Sequence, residues 1–144
     1  MAPQIRSFIM SDYDQVRALW EESEGLGLHD DVDSREGIAS YLARNPGLSS
    51  VAWDADRVVG AVLAGHDGRR GYLHHLAVHP SARRTGLGRR LVQASLDALR
   101  REDIAKAHIF VFRDNAAGQR FWESCGWHRR EELDIMSIEI SERE

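Results

Sequence analysis

Cysteine is almost absent from this 144-residue sequence, and no long hydrophobic run is present. The single cysteine, Cys125, excludes an internal disulfide framework and a zinc site built from several thiolates. We therefore expect a reducing, cytoplasmic location and no metal cofactor. The longest apolar stretches, such as 58–64, are too short to span a membrane, and the first residues lack the basic and apolar segments of a signal peptide. A membrane partner is not expected.

An excess of positive charge is also missing. Nineteen basic residues stand against 23 acidic ones, which gives a net charge of −4 at pH 7. Such a protein does not attract nucleic acid as a whole, so we predict no nucleic-acid partner. Only three prolines are present and no linker or repeat divides the chain, which predicts one domain over residues 1–144.

Alternating strand and helix signals predict an α/β fold with a mixed central sheet of six to seven strands and about four helices. The sheet is expected to be antiparallel through its first four strands and parallel between the fourth and fifth. The predicted helices cover 12–23, a short segment capped by Ser34, 86–101 and 115–125. The predicted strands cover 4–9, 48–54, 57–65, 70–78 and 106–112, with one or two more over 127–140.

The stretch 73–91 carries the clearest chemical signal. A strand runs into a glycine-containing loop that opens a helix, and such a helix start presents backbone N–H groups to an anion. Gly86 and Gly88 remove side chains where a phosphate would approach the backbone. Positive charge around the same turn comes from Arg83, Arg84, Arg89 and Arg90. The loop lacks the Gly-Lys-Ser/Thr of nucleotide triphosphatases and the third glycine of dinucleotide folds, so neither ATP nor NAD fits well.

Several segments, in this order along the chain, resemble the GNAT superfamily of N-acetyltransferases, and in particular its small bacterial members. They are Leu76-Ala77-Val78-His79-Pro80, then Arg83-Arg84-Thr85-Gly86-Leu87-Gly88, then Asn115, and finally Phe121-Trp122-Glu123-Ser124-Cys125-Gly126-Trp127. The order of predicted elements agrees with that fold over nearly the whole chain. The resemblance implies transfer of an acetyl group from acetyl-CoA to a primary amine of a small molecule or a protein.

The resemblance also implies where coenzyme A binds. The fourth and fifth strands would separate, and the pantetheine arm would pair with the backbone of Leu76, Ala77 and Val78. The loop Arg83, Arg84, Thr85, Gly86, Leu87, Gly88 and Arg89 would hold the pyrophosphate, chiefly through backbone N–H groups. Asn115 would meet the pantetheine or phosphate side, and Trp122 would shape the thioester end. Relatives often form homodimers through terminal strands, and 133–140 offers such a segment.

The reaction requires a neutral nitrogen, because alkyl amines have a pKa of about 10.4 and are mostly protonated at neutral pH. The segment Tyr72-Leu73-His74-His75-Leu76-Ala77-Val78 resembles a His-Leu-His-x-Leu-Ala-Val pattern of arylalkylamine N-acetyltransferases. We therefore predict His74 as the base, with Tyr72 on the same strand face as its partner or as an acid. The alternative is that His74 is an ordinary hydrogen-bonded strand residue. Strand alternation places His75 on the opposite face, in a structural role.

Two departures from the superfamily favour a second hypothesis. Trp122 stands where many members carry a tyrosine that acts as the general acid. Phe110 stands where alanine acetyltransferases carry a glutamate that acts as the base. A CoA-binding sensor or interaction module with weak or no catalysis is therefore the alternative function. Carboxylates in the loop 29–33 would favour a cationic amine, although a solvated loop is the simpler interpretation.

Overall fold

The computed structural model describes residues 2–141. The strands and helices follow in the order β1 (Gln4–Ser7), α1 (Tyr13–Glu22), α2 (Asp30–Asp33), α3 (Arg35–Arg44), β2 (Ser50–Asp54), β3 (Arg57–His66), β4 (Gly71–Val78), α4 (Leu87–Arg101), β5 (Ala107–Ile109) and α5 (Ala116–Ser124). Short 3-10 turns precede α1 and α4. Within the described range, no helix is long and apolar enough to cross a membrane.

The five strands form one mixed sheet in the order β1-β2-β3-β4-β5. The first four pair antiparallel, and β4 pairs parallel with β5, which confirms the predicted α/β class and topology. The hairpins from β2 to β4 follow from short segments rich in apolar and β-branched residues, separated by the turn residues 54–56 and 66–68. Parallel pairing of β4 with β5 requires a crossover, which α4 supplies.

Helices cover both faces of the sheet. Val16, Trp20 and Ile38 of α1 and α3 pack with Ala61 and Leu63 in one buried cluster. Gly60 directly precedes Ala61 in β3, and a Cβ added at Gly60 would lie 2.9 Å from Leu91 and 3.2 Å from Leu87 of α4. Successive strand residues point to opposite faces, so α1 and α3 lie on one face and α4 on the other.

The backbone contacts divide the chain into two compact units, Met1–Phe112 and Arg113–Glu144. The first contains the complete sheet and helices α1 to α4. In the second, the Asn115 side chain accepts a hydrogen bond from the Gly118 N–H at 2.9 Å and caps α5. The single domain over 1–144 stays a prediction.

The sequence prediction of six to seven strands is wrong, because the structure describes five. Apolar residues alternate in 133–140, but no residue of 127–141 is part of a strand. A strand needs a backbone partner as well as an alternating pattern, and none is described for this segment. Its apolar side chains are exposed, from 57% at Leu133 to 93% at Met136. Dimerisation through it stays a prediction. The sequence analysis also did not predict the single-turn helix α2, which lies in the segment 29–33 interpreted as a loop.

Candidate active site

A gap opens between β4 and β5. The two strands pair only at Gly71 with Ala107, Tyr72 with His108 and Leu73 with Ile109. Beyond these pairs β4 continues for five more residues to Val78, whereas β5 ends at Ile109. The outer backbone edge of β4 from His74 to Val78 therefore faces the gap and not a neighbouring strand.

A β-bulge reverses the direction of the backbone groups along this edge. Between the pairs Leu63 with His74 and Ala61 with Ala77, β3 has one residue and β4 has two, His75 and Leu76. The hydrogen bonds agree: the Gly71 N–H points toward the β5 side, but the His79 N–H points to Val59 of β3. Residues eight apart in a regular strand point their N–H groups to the same edge, so one residue is inserted between them.

The inserted residue turns the N–H groups of Leu76 and Val78 toward the gap, by alternation from His79. The carbonyl of Val78 lies on the same edge, where the Arg83 guanidinium donates to it through Nε at 3.1 Å. Ala77 is buried, and Leu76 and Val78 are partly buried. The side chains of this segment thus pack in the protein while alternate backbone groups face the gap.

His75 occupies the bulge in the left-handed backbone region, with φ of 55°. Its carbonyl accepts a hydrogen bond from Trp20 Nε1 at 3.1 Å, and its Nε2 lies 2.9 Å from Asp33 Oδ1. The side chain of His75 thus meets Trp20 and Asp33, on the α1 and α3 face, and its ring centroid is 6.4 Å from that of His74. The prediction that His75 points to the opposite face is wrong, because the bulge interrupts the alternation on which it relied.

Asp33 is a buried carboxylate, only 3% exposed. Burial acts to raise the pKa of Asp33, but hydrogen bonds with His75 and with the backbone N–H of His29 outweigh this, so the pKa lies below its usual value. The group is therefore ionised at neutral pH. Asp30 and Asp31, which belong to α2, are exposed to solvent.

The predicted base, His74, lies in an aromatic cluster formed with Tyr72, Phe110 and Tyr41. The rings of Tyr72 and Phe110 are nearly parallel to that of His74, with centroids 6.4 and 6.1 Å away, and the Tyr41 ring meets it edge-on at 6.3 Å. Burial lowers the pKa of His74 below its usual value and His75 lowers it further, whereas Asp33 acts in the opposite direction. At neutral pH His74 is accordingly a neutral imidazole that can accept a proton.

Tyr41 connects His74 to a cavity of about 320 Å³ lined by Asp31, Val32, Gly37, Ser40, Tyr41 and Arg44. Burial raises the pKa of Tyr41 to about 12, so its hydroxyl is protonated at neutral pH. This hydroxyl is buried and has no hydrogen-bond partner among residues 2–141. A polar atom in that state is a candidate contact for a ligand.

The loop 83–88 forms the opposite end of the gap. Arg84 and Gly86 both have left-handed backbone conformations, with φ of 62° and 83°, and Gly86 directly precedes α4. Left-handed residues alternating with others turn successive N–H groups toward one point, and a helix start adds its positive dipole end. A side chain at Gly86 would meet nothing within 4 Å, so this concave backbone surface is open.

The remaining predicted cofactor residues divide by location. Thr85 donates its hydroxyl to the Ala82 carbonyl at 2.6 Å, and the Leu87 side chain is buried under the sheet, so Leu87 offers its backbone only. Asn115 and Trp122 belong to the second unit, where Trp122 packs edge-on against Trp127 with centroids 5.0 Å apart. Their contacts with coenzyme A stay predictions.

The sequence analysis did not predict the hydrogen bonds that join α1 and α2 to β4. Asp33 and Trp20 are 42 and 55 residues from His75 in sequence, and no local pattern joins them. One weak signal was available, since two adjacent histidines in a strand place one polar ring on each face unless the backbone is irregular.

Comparison with known proteins agrees with this geometry. The sequence model of the acetyltransferase (GNAT) family matches residues 13–127. An acetyltransferase of Yersinia enterocolitica is 31% identical over 130 residues, covering 90% of this chain and 91% of the relative. An acetyltransferase of Pectobacterium atrosepticum is 30% identical over 141 residues, covering 98% and 99%.

Solved structures match the fold. Ard1 from Thermoplasma volcanium has a TM-score of 0.77 at 24% identity, covering 88% of this chain and 82% of its own. AAC(6')-Iy, solved in complex with a bisubstrate analogue of CoA and acetylneamine, has a TM-score of 0.77 at 17% identity, covering 97% and 100%. At these identities the likeness concerns the fold alone.

Proposed function

This chain belongs to the acetyltransferase (GNAT) family, and from that premise we propose that it transfers the acetyl group of acetyl-CoA directly to a primary amine of a small molecule or a protein. The observation that carries the proposal is the separation of β4 from β5 beside the open loop 83–88, whose backbone geometry suits an anion and which we call the anion-binding loop. The two features lie at the two ends of one strand edge. A long ligand with a diphosphate at one end and an acyl group at the other matches that arrangement.

The residues of the first unit fit coenzyme A. Backbone N–H groups from Arg84 to Arg89 would hold the diphosphate at the start of α4, and Arg83 and Arg84 would add charge. The outer edge of β4 at Leu76 and Val78 would pair with the amide groups of the pantetheine arm, as a peptide adds to a sheet edge. The ligand itself supplies an activated acetyl thioester.

His74 would accept the proton of the attacking amine. Its pKa is lowered, so it is neutral at neutral pH, and it borders the gap beside the end of β5. Tyr72 stacks on it from two residues away and would orient the ring or supply a proton to the departing thiolate. The Leu76 N–H, turned into the gap by the bulge, would stabilise the negative charge that develops on the acetyl oxygen.

The acceptor would approach on the α3 side, through the cavity that Tyr41 lines, because the Tyr41 ring also contacts the ring of His74. The exposed Asp31 carboxylate in the lining of this cavity suits a protonated amine. The alternative function, a CoA-binding module without turnover, is favoured by Trp122 and Phe110 in place of proton-handling side chains. Release of thiol from acetyl-CoA in the presence of a panel of amines separates the two, since the module predicts none.

Substitution of Gly86 tests the anion-binding loop. We expect Gly86→Val to weaken coenzyme A binding at least about tenfold, because a β-branched residue resists φ of 83° and the amides lose their alignment. Isothermal titration with coenzyme A measures the affinity. Gly68→Val is the matched control: Gly68 also has positive φ and open space around its Cβ, but it lies in the β3–β4 turn.

Both substitutions should lower stability by similar amounts, about 1–2 kcal/mol of backbone strain, while only Gly86→Val should affect binding. Wild-type protein that gives no heat with coenzyme A would contradict the proposed function. Equal affinity of the two variants would contradict the assignment of the loop.

The pH dependence of turnover reports the state of His74. Because its pKa lies below the usual 6.5, His74 stays unprotonated to lower pH, and we expect the acidic limb of the kcat profile to have its midpoint below pH 6.5. Assays of thiol release at saturating substrate concentrations over a series of pH values measure this midpoint. A limb centred at pH 7 or higher, or one that survives unchanged in His74→Gln, would contradict the assignment.

A further inference from the structure

We propose that Asp33 and Trp20 are positioning residues that hold the bulge of β4 in its active conformation. Both act by hydrogen bonding to His75, the bulge residue. The inference rests on the proposed function, because it concerns the Leu76 N–H that would face the acetyl oxygen. Neither residue touches the gap directly, and each acts through His75.

The backbone of His75 needs an external restraint. A residue other than glycine pays roughly 1–2 kcal/mol to enter the left-handed region, and its φ of 55° lies within it. Such strain persists only where surrounding contacts determine the conformation. The structure provides two contacts, one to the backbone carbonyl of His75 and one to its side chain.

Trp20 restrains the main chain of His75. The indole is 1% exposed, and its Nε1–H donates to the His75 carbonyl at 3.1 Å. Its ring also meets the His75 ring edge-on, with centroids 5.1 Å apart. An indole N–H buried in α1 has one donor to satisfy, so this bond fixes the direction of the peptide that joins His75 to Leu76.

Asp33 restrains the side chain. Its Oδ1 lies 2.9 Å from His75 Nε2, and its Oδ2 accepts the His29 N–H at 2.9 Å. The carbonyl of Asp33 is also held, by the Tyr13 hydroxyl at 2.7 Å and by Arg17 Nη1 at 2.9 Å. The carboxylate is thus anchored to α1 and α2 before it meets the imidazole, as a rigid support requires.

The combined effect is to aim one backbone donor. The peptide between His75 and Leu76 carries both the carbonyl that Trp20 holds and the N–H that the bulge turns toward the gap. Without either hydrogen bond, His75 would relax to negative φ, and the peptide group between His75 and Leu76 would rotate. Misplacement by about 1 Å costs on the order of 100-fold in rate.

The test compares two variants with the wild type by steady-state kinetics and by NMR of the ligand-free protein. We expect Asp33→Ala and Trp20→Phe to lower kcat by about 10- to 100-fold while the KM for acetyl-CoA changes by less than about threefold. The amide resonance of Leu76 should shift in both. Trp20→Phe keeps an aromatic ring in the core and removes only the donor, so it remains informative if Asp33→Ala fails to fold.

Two further variants separate positioning from other roles. Ser23→Ala removes a side-chain bond to the Leu19 carbonyl of α1 but no contact with Asp33 or His75, so kcat and the Leu76 resonance should stay at wild-type values. Asp33→Asn keeps a hydrogen-bonding partner for His75 and should recover most of the activity that Asp33→Ala loses. Asparagine as poor as alanine would show that the charge matters and would overturn the positioning role.

Failure of this inference differs from failure of the proposed function. Wild-type protein without turnover on any amine overturns both. Active wild-type protein together with unchanged kcat and an unshifted Leu76 resonance in Asp33→Ala and Trp20→Phe overturns the positioning role alone.

Discussion

Replacement of His74 by alanine is expected to lower kcat by about 10²- to 10⁴-fold, which is the usual contribution of a well-placed general base. The affinity for coenzyme A should stay near the wild-type value, because in the proposed function the anion-binding loop and the outer edge of β4 would bind it through the backbone. Thiol release with an amine panel and titration calorimetry measure the two quantities on the same preparation.

His66→Ala is the control for this prediction. His66 lies at the end of β3, where its Nε2 is 3.2 Å from Glu102 Oε1, and it should leave turnover unchanged. His74 packs among aromatic rings, so His74→Gln is the second variant if alanine disturbs folding. Full turnover in both His74 variants would exclude it as the base, and loss of coenzyme A binding would show that its role is packing.

The sheet and helices that position this site were predictable from sequence. Residues 48–78 contain short segments rich in apolar and β-branched residues between clear turn signals, so the predicted bounds of β2, β3 and β4 lie within two residues of the observed ends. The helix start at Gly86 follows from local glycine chemistry combined with helical spacing of leucines. These elements depend on short-range patterns, which the sequence records directly.

The bulge depends on long-range contacts and was not predictable in the same way. A strict period of two puts His75 on the face opposite His74, and only the extra residue opposite Val62 changes this. The energy that stabilises the left-handed His75 comes from Trp20 and Asp33, far away in sequence. Local propensity argues against that conformation, so tertiary contacts must override it.

In the second unit the sequence pattern predicts an element that the structure does not describe. The alternation of Leu133, Ile135, Ile138 and Ile140 includes one irregular step, yet it still suggested a strand. Periodicity describes which side chains could share a face, but it does not provide a backbone partner. Among the described residues no strand forms there, so the pattern alone was insufficient.

Leu91→Ala should be strongly destabilising, lowering the free energy of unfolding by about 2–5 kcal/mol. Leu91 of α4 is fully buried, at 0% exposure, and packs against β3 at Gly60, which has no side chain to fill the space that alanine would leave. Urea unfolding followed by fluorescence measures the change. Gln93→Ala, on the exposed side of the same helix, should stay within about 0.5 kcal/mol of wild type.

The same contact predicts a compensating pair. Gly60→Ala alone should destabilise, because its Cβ would come within 2.9 Å of the Leu91 Cδ1 atom. In Leu91→Ala that atom is gone, and the new methyl group would occupy part of the void. The double variant should therefore be more stable than the sum of the single effects predicts, by about 0.5–3 kcal/mol. Strict additivity would mean that α4 shifts to close the cavity, and coenzyme A affinity should then fall as well, since the helix carries the anion-binding loop at its start.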